Sequence, residues 1–103
     1  MRRQAGAKSG GGSGQPPRGD LDQHVRQALA LHQAGRAGEA EALYRQVLAV
    51  KPDHAAALHF LGILLHQGRR SADGVALIEK SVRAAPNNPD FLNNYGSVLR
   101  DLG

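Results

Sequence analysis

The sequence predicts an all-α chain of antiparallel helix–turn–helix repeats, stacked as an α-solenoid of about two and a half units and five helices. Three observations carry this. The chain repeats itself at a fixed interval: the step from Pro52 to Pro86 is also the step from Ala28 to Gly62 to Gly96, from Leu31 to Leu65 to Leu99, and from His32 to His66. "LGILLHQG" at 61–68 returns as "YGSVLRDLG" at 95–103, and more weakly as "QALALHQAG" at 27–35. Within each period, apolar residues recur at three-to-four spacing, the period of an amphipathic helix. Between these stretches, glycine and proline fall at regular places and stop each helix.

The first helix is expected after Asp20, a suitable N-cap, with Gln23 three residues on to reach back. It places Val25, Ala28, Leu29 and Leu31 inward and ends at Gly35, since glycine accepts the left-handed conformation of many helix ends. The second runs from about 38 to 50, with Ala40, Leu43, Tyr44, Val47 and Leu48 on one face. Pro52 stops it, because proline clashes with a continuing turn and offers no N–H. Asp53 is expected to cap the third, roughly 54–67, with Leu58, Leu61, Leu64 and Leu65 inward and Gly68 at its end. Ser71 is expected to cap the fourth, about 72–85, with Val75, Ile78 and Val82 inward, before Pro86. The fifth begins at Pro89, after the cap residue Asn88, and still runs at Leu102.

Small residues explain how neighbouring helices meet. Ala28, Gly62 and Gly96 sit where the first helix of each pair approaches its partner, which presents Ala40 in the first unit and Gly74 in the second. A large side chain there would hold the backbones apart. The turns at Gly35 and Gly68 are only a few residues long, which favours antiparallel neighbours.

Composition bounds what such a chain can do. Its 103 residues allow one small domain. There is no cysteine, hence no disulfide framework and no thiolate metal site. No apolar run approaches the ~18 residues of a membrane span, so membrane insertion is not expected. The net charge of +4 suggests nucleic acid at first sight. Yet four of the thirteen basic residues, Arg2, Arg3, Lys8 and Arg18, lie in the first nineteen, where there is no acid. The remainder balances, nine against nine, so nucleic acid is not the expected partner. Residues 1–19, rich in glycine, serine and proline, are expected to form a disordered basic tail, since they cannot bury enough surface to offset ordering. They lack the apolar core of a secretory signal, and a cytoplasmic location is the expectation.

Taken together, residues 20–103 resemble the tetratricopeptide repeat family, a helix–turn–helix unit of about 34 residues that stacks into a superhelix. The first unit, about 21–54, carries Ala28, Leu31, Gly35, Ala40, Tyr44 and Pro52. The second, about 55–88, carries Leu61, Gly62, Leu65, Gly74, Ile78 and Pro86. The third, 89–103, carries Tyr95, Gly96, Leu99 and Gly103 and is incomplete. Two departures stand out. The second turn glycine comes one residue early, so the loop 68–73 is expected to be altered. The aromatic residue that opens a unit is replaced by His24, Leu58 and Leu92.

The resemblance implies that partner protein segments bind in a groove lined by the first helix of each pair. The candidate groove residues form rows one repeat apart: Val25, His59 and Asn93; Arg26, Phe60 and Asn94; Leu29, Ile63 and Ser97; His32, His66 and Arg100. The last row reads as a weakly cationic stripe, stronger once the histidines protonate, and would suit an acidic or amide-rich segment. Phe60 is either an apolar anchor for a ligand or core, and core is favoured.

No chemistry of the chain's own is expected, and no cofactor. His59 and His66 are seven residues apart, ~10 Å along a helix, too far for one ion, and no histidine pair has the spacing of a helical zinc site. No serine has a histidine and an acid set around it by a local motif. "GAKSGGGSG" lacks the order of a phosphate-binding loop and no strand precedes it.

The third unit lacks its second helix, which would leave Leu92, Tyr95, Leu99 and Leu102 partly uncovered. A lone capping helix is one explanation. The start of a longer array is the favoured one, and self-association through the exposed face is a further possibility. "FLNNYGSVLRDLG" is similar to the repeats in front of O-linked N-acetylglucosamine transferases and their bacterial relatives. Those repeats place an asparagine before the Leu/Tyr-Gly pair; Asn94 matches, Arg26 and Phe60 do not. The alternative is therefore a substrate-binding fragment of such an enzyme, without its catalytic domain.

Overall fold

The computed structural model describes residues 20–103. The expected basic tail at 1–19 lies outside the described residues. Five helices follow one another: α1 Leu21–Gln33, α2 Ala37–Val50, α3 Ala55–Gln67, α4 Ser71–Ala84 and α5 Pro89–Asp101. The described residues contain no strand. Consecutive helices pack on one another, and α1 also touches α3, so the first helices line up along one side. The fold is the all-α array of stacked helix pairs.

Much of the expected inward face is buried. Ala28, Ala40, Tyr44, Val47, Leu61, Leu65 and Ile78 are fully buried, and Val25, Leu58 and Leu64 nearly so. Other inward residues are covered less: Leu29, Leu31, Leu43, Leu48, Val75 and Val82 are only half-buried. For Leu29 and Leu31 on α1 the cause is that solenoid helices obtain cover from the adjacent repeat, and α1 has such a neighbour on one side only among the described residues.

The α3–α4 crossing is the tightest. A Cβ on Gly62 would lie 2.7 Å from the Gly74 carbonyl oxygen and 2.5 Å from Ile78 Cγ1. One on Gly74 would lie 2.5 Å from the Gly62 carbonyl oxygen. Neither position admits a side chain without moving backbone.

The caps correct two expectations. Asp20 Oδ1 accepts from Gln23 N–H at 2.9 Å, and Asn88 Oδ1 accepts from Phe91 N–H at 3.1 Å, as the sequence suggested. At α3, however, the N-cap is His54, not Asp53: its Nδ1 accepts from Ala57 N–H at 3.2 Å. Asp53 instead pairs with Lys51 at 3.3 Å. Asp20, His54 and Asn88 stand one repeat apart, so the register of the repeat, not the usual cap preference, decides the position. At α4 the N-cap is Arg70, with no side-chain cap bond. Ser71 lies inside the helix and its hydroxyl meets His66 Nδ1 at 3.0 Å.

The α3–α4 turn is also unaltered, contrary to expectation. In the first turn Gly35 has φ +83, its N–H donates to His32 O, and Arg36 N–H donates to Leu31 O. In the second, Arg69 has φ +68, its N–H donates to His66 O, and Arg70 N–H donates to Leu65 O. This is the same two-bond helix end. Gly68 sits one residue before the left-handed position, so Arg69 adopts that conformation itself. α5 ends at Asp101, one residue short of the expected Leu102, and Gly103 is left-handed in the same register.

Candidate functional site

Along the first helices, α1, α3 and α5, lie two adjoining clefts. The larger, about 480 Å³, has an apolar wall of Leu29, Phe60 and Ile63. Gln33, Gln67 and Asn94 stand around it, with His32 and His59 also contributing. The smaller, about 320 Å³, lies between α3 and α5 and is lined by Phe60, Asp90, Phe91, Asn93 and Asn94, again with His59. Phe60 and Asn94 border both.

Of the candidate residues, Leu29, His32, His59, Phe60, Ile63, Asn93 and Asn94 are brought to these clefts. Arg26, His66, Ser97 and Arg100 line neither. Arg26 and Arg100 are exposed; Arg26 lies 4.0 Å from Asp20, and Arg100 donates to Ser97 Oγ at 3.1 Å. Phe60 answers both descriptions offered for it: it is half-buried, packs against the core cluster, and also faces the clefts.

His59 and Val25 are not the exposed groove side chains their row suggested. Val25 is core, and His59 is 1% exposed. The His59 ring stacks on Phe91 with centroids 4.2 Å apart and meets the Phe60 ring edge-on at 5.0 Å. Asn94 Nδ2 donates to His59 Nε2 at 3.1 Å, which leaves the ring proton on Nδ1, where it finds no partner. Burial pushes the imidazole down to about 4, against the opposing pull of the Asp90 carboxylate, so the ring is neutral near pH 7. His59 is the aromatic floor of the groove.

The histidine row is likewise spent on repeat-to-repeat contacts. His32 Nε2 donates to Gln67 Oε1 at 2.6 Å. His66 Nε2 donates to Asp101 Oδ2 at 3.2 Å, and its Nδ1 accepts from the Ser71 hydroxyl. In both cases the partner lies 35 residues on, as it does for His59 and Asn94. Outside the rows, His54 Nε2 donates to Asp22 Oδ1 at 2.8 Å, tying α3 to α1. The stripe is thus a set of clamps between units, and only Arg100 of that row presents an exposed cation.

Gln33, Gln67, Asp90 and Phe91 also line the clefts and are not among the residues the sequence suggested. Gln33 and Gln67 are themselves one repeat apart, immediately after the two repeated histidines, so the signal was present.

On the second helices, Glu41 accepts from Arg70 at 3.0 and 3.2 Å and from Arg45 at 2.9 and 3.0 Å. Arg70 first, then Arg45, holds its carboxyl below the usual range. This links α2 to the start of α4. Among the described residues there is no group of three metal-ligating side chains, and no helix is long and apolar enough to cross a membrane.

A family model described as tetratricopeptide repeat matches residues 25–103.

Proposed function

Because the chain belongs to the tetratricopeptide repeat family, whose repeats generally mediate protein–protein interaction, we propose that it binds an extended segment of a partner protein along α1, α3 and α5. The observation that carries this is the 480 Å³ cleft, in which the Leu29–Phe60–Ile63 wall spans two repeats beside the side-chain amides of Gln33, Gln67 and Asn94. Such a cleft suits one apolar side chain of the partner, with amides available to its backbone. Asn93 and Ser97 continue the surface along α5. Arg26 and Arg100, exposed on α1 and α5, suit acidic residues flanking that apolar anchor. His32, His59 and His66 shape the groove and hold its repeats together. The tetratricopeptide repeat is a non-catalytic module, so the proposal requires no reaction.

A glycosyltransferase context for the same groove would rest on Asn94 alone. Its amide is engaged with His59, so general segment binding is the preferred reading. Self-association would use the uncovered face of α5, a surface separate from the groove.

The test is selection of a displayed random peptide library on the 103-residue chain. Peptides with a large apolar residue next to acidic ones should be enriched. Ile63→Glu and Arg100→Ala, both checked for an unchanged melting curve, should each reduce recovery at least tenfold. Equal recovery by both variants rejects the groove.

A further inference from the structure

The cleft between α3 and α5 differs from its neighbour in what it offers. Three aromatic rings meet there: His59 stacks on Phe91 and meets Phe60 edge-on. His59 and Phe91 are buried and form the floor, while the half-buried Phe60 adds a wall. The polar lining is Asp90, Asn93 and Asn94, all exposed. Among the described residues, Asp90 is the one carboxylate that lines this cleft, and no lysine or arginine lines it. Asn94 uses Nδ2 on His59 Nε2, which leaves its carbonyl oxygen to accept. Burial keeps the His59 ring neutral near pH 7, so the floor carries no cation to compete with one from a ligand. One repeat earlier, between α1 and α3, Ala56 and Phe60 stand in the register of Asp90 and Asn94. That cleft is lined by no acid. The two clefts therefore differ in chemistry: the first is apolar, and the second combines aromatic surface with a carboxylate and an amide oxygen.

We propose that the α3–α5 cleft takes an arginine side chain of the segment bound in the groove. This assignment depends on segment binding and names the side chain beside its apolar anchor. A guanidinium is flat, stacks on aromatic rings and donates paired hydrogen bonds to a carboxylate. Here Phe60 supplies the ring, Asp90 the carboxylate and Asn94 Oδ1 a further acceptor. Lysine suits the cleft less, because its ammonium is a compact, strongly hydrated charge that cannot stack flat. An acidic side chain would be repelled by Asp90. Phe60 and Asn94 border both clefts, so the arginine stands about two residues from the anchor, the spacing at which side chains of an extended segment point the same way. Arg26 and Arg100 line neither cleft, so the acidic residues they attract lie farther out along the segment.

The probe is a displayed library of random peptides around one fixed leucine, selected on the full chain and on its Asp90→Lys, Phe60→Leu and Ile63→Glu variants. On the parent chain, arginine should be enriched about fivefold over the unselected library close to the leucine. Asp90→Lys should replace that arginine by aspartate or glutamate while recovery persists. Asp90→Asn is the milder variant should Asp90→Lys not fold, and it should abolish the preference. Phe60→Leu keeps apolar bulk without the ring and should lessen it. A synthetic peptide from the parent pool should lose about fivefold in affinity when its arginine becomes citrulline, which keeps the shape without the charge. No arginine enrichment, lysine in its place, or equal arginine enrichment on the parent and Asp90→Lys chains would overturn the proposal. Recovery lost in Ile63→Glu without any arginine preference on the parent sinks this assignment and leaves the groove standing. Recovery indifferent to Ile63→Glu rejects the groove and the arginine site together.

Discussion

The Gly62 and Gly74 backbones cross so closely that a Cβ on Gly62 would lie 2.7 Å from the Gly74 carbonyl oxygen, and one on Gly74 would lie 2.5 Å from that of Gly62. The α3–α4 pair is built around that contact. The same glycine register on α5, at Gly96, closes on nothing comparable. Two positions that look identical in the sequence therefore carry opposite consequences.

Gly62→Ala should destabilise the fold by about 2–3 kcal/mol, because overpacking against backbone outweighs the gain in helix propensity. Gly96→Ala should instead stabilise it by up to ~1 kcal/mol, the propensity gain alone. Urea melts of the two variants should move in opposite directions. Equal shifts would mean that the crossing is not where the stability resides.

Arg69 holds φ +68 at the position that Gly35 fills in the preceding turn. A side chain in the left-handed region costs roughly 1 kcal/mol relative to glycine. Arg69→Gly should therefore raise stability by up to about 0.5 kcal/mol, after the added freedom of the unfolded chain is counted. Thermal denaturation followed by circular dichroism reads this directly.

His54 caps α3 through Nδ1 and binds Asp22 through Nε2. Its loss removes both the cap and a tie between repeats. His54→Ala should cost about 1–2 kcal/mol, at the upper part of the range for lost caps. Asp53→Ala removes only an exposed partner of Lys51 and should stay within ~0.5 kcal/mol. Chemical denaturation of both variants separates the real cap from the residue that resembles one.

His59 makes stability depend on pH. Its folded pKa, pushed down by burial to about 4, lies below the ordinary 6.5 of the unfolded chain. The unfolded state therefore binds more protons between pH 6.5 and 4, and this contribution is lost as pH falls through that window. The total is on the order of 3 kcal/mol. His59→Leu should flatten this part of the profile while keeping much of the contact with Phe91. An unchanged slope between pH 6.5 and 4 would show that the ring is not neutralised by burial.

Much of the site was legible, and the remainder failed for one reason. Ile63 follows from turning one face of each first helix outward, whereas the apolar spacing also sets Leu29 inward and favours Phe60 as core, although both line the cleft. The burial of His59 was not legible, because it is made by Phe91 and Asn94, which arrive from the next repeat. His32 and His66 read as a cationic stripe until their partners, 35 residues on, were in place. A sequence period identifies equivalent positions but not which of them turns toward the neighbouring unit.

The amino-acid order by itself determined the register of the repeat, the five helices, their breaks, and where small residues must stand. These are local or strictly periodic properties, carried by propensity, amphipathic spacing and turn chemistry. Tertiary structure alone decided which member of each equivalent set bears load: Gly62 but not Gly96, His54 rather than Asp53, Arg69 in place of a glycine. Each of those outcomes depends on whether another backbone or side chain comes within a few ångströms, and that is settled only when the repeats stack.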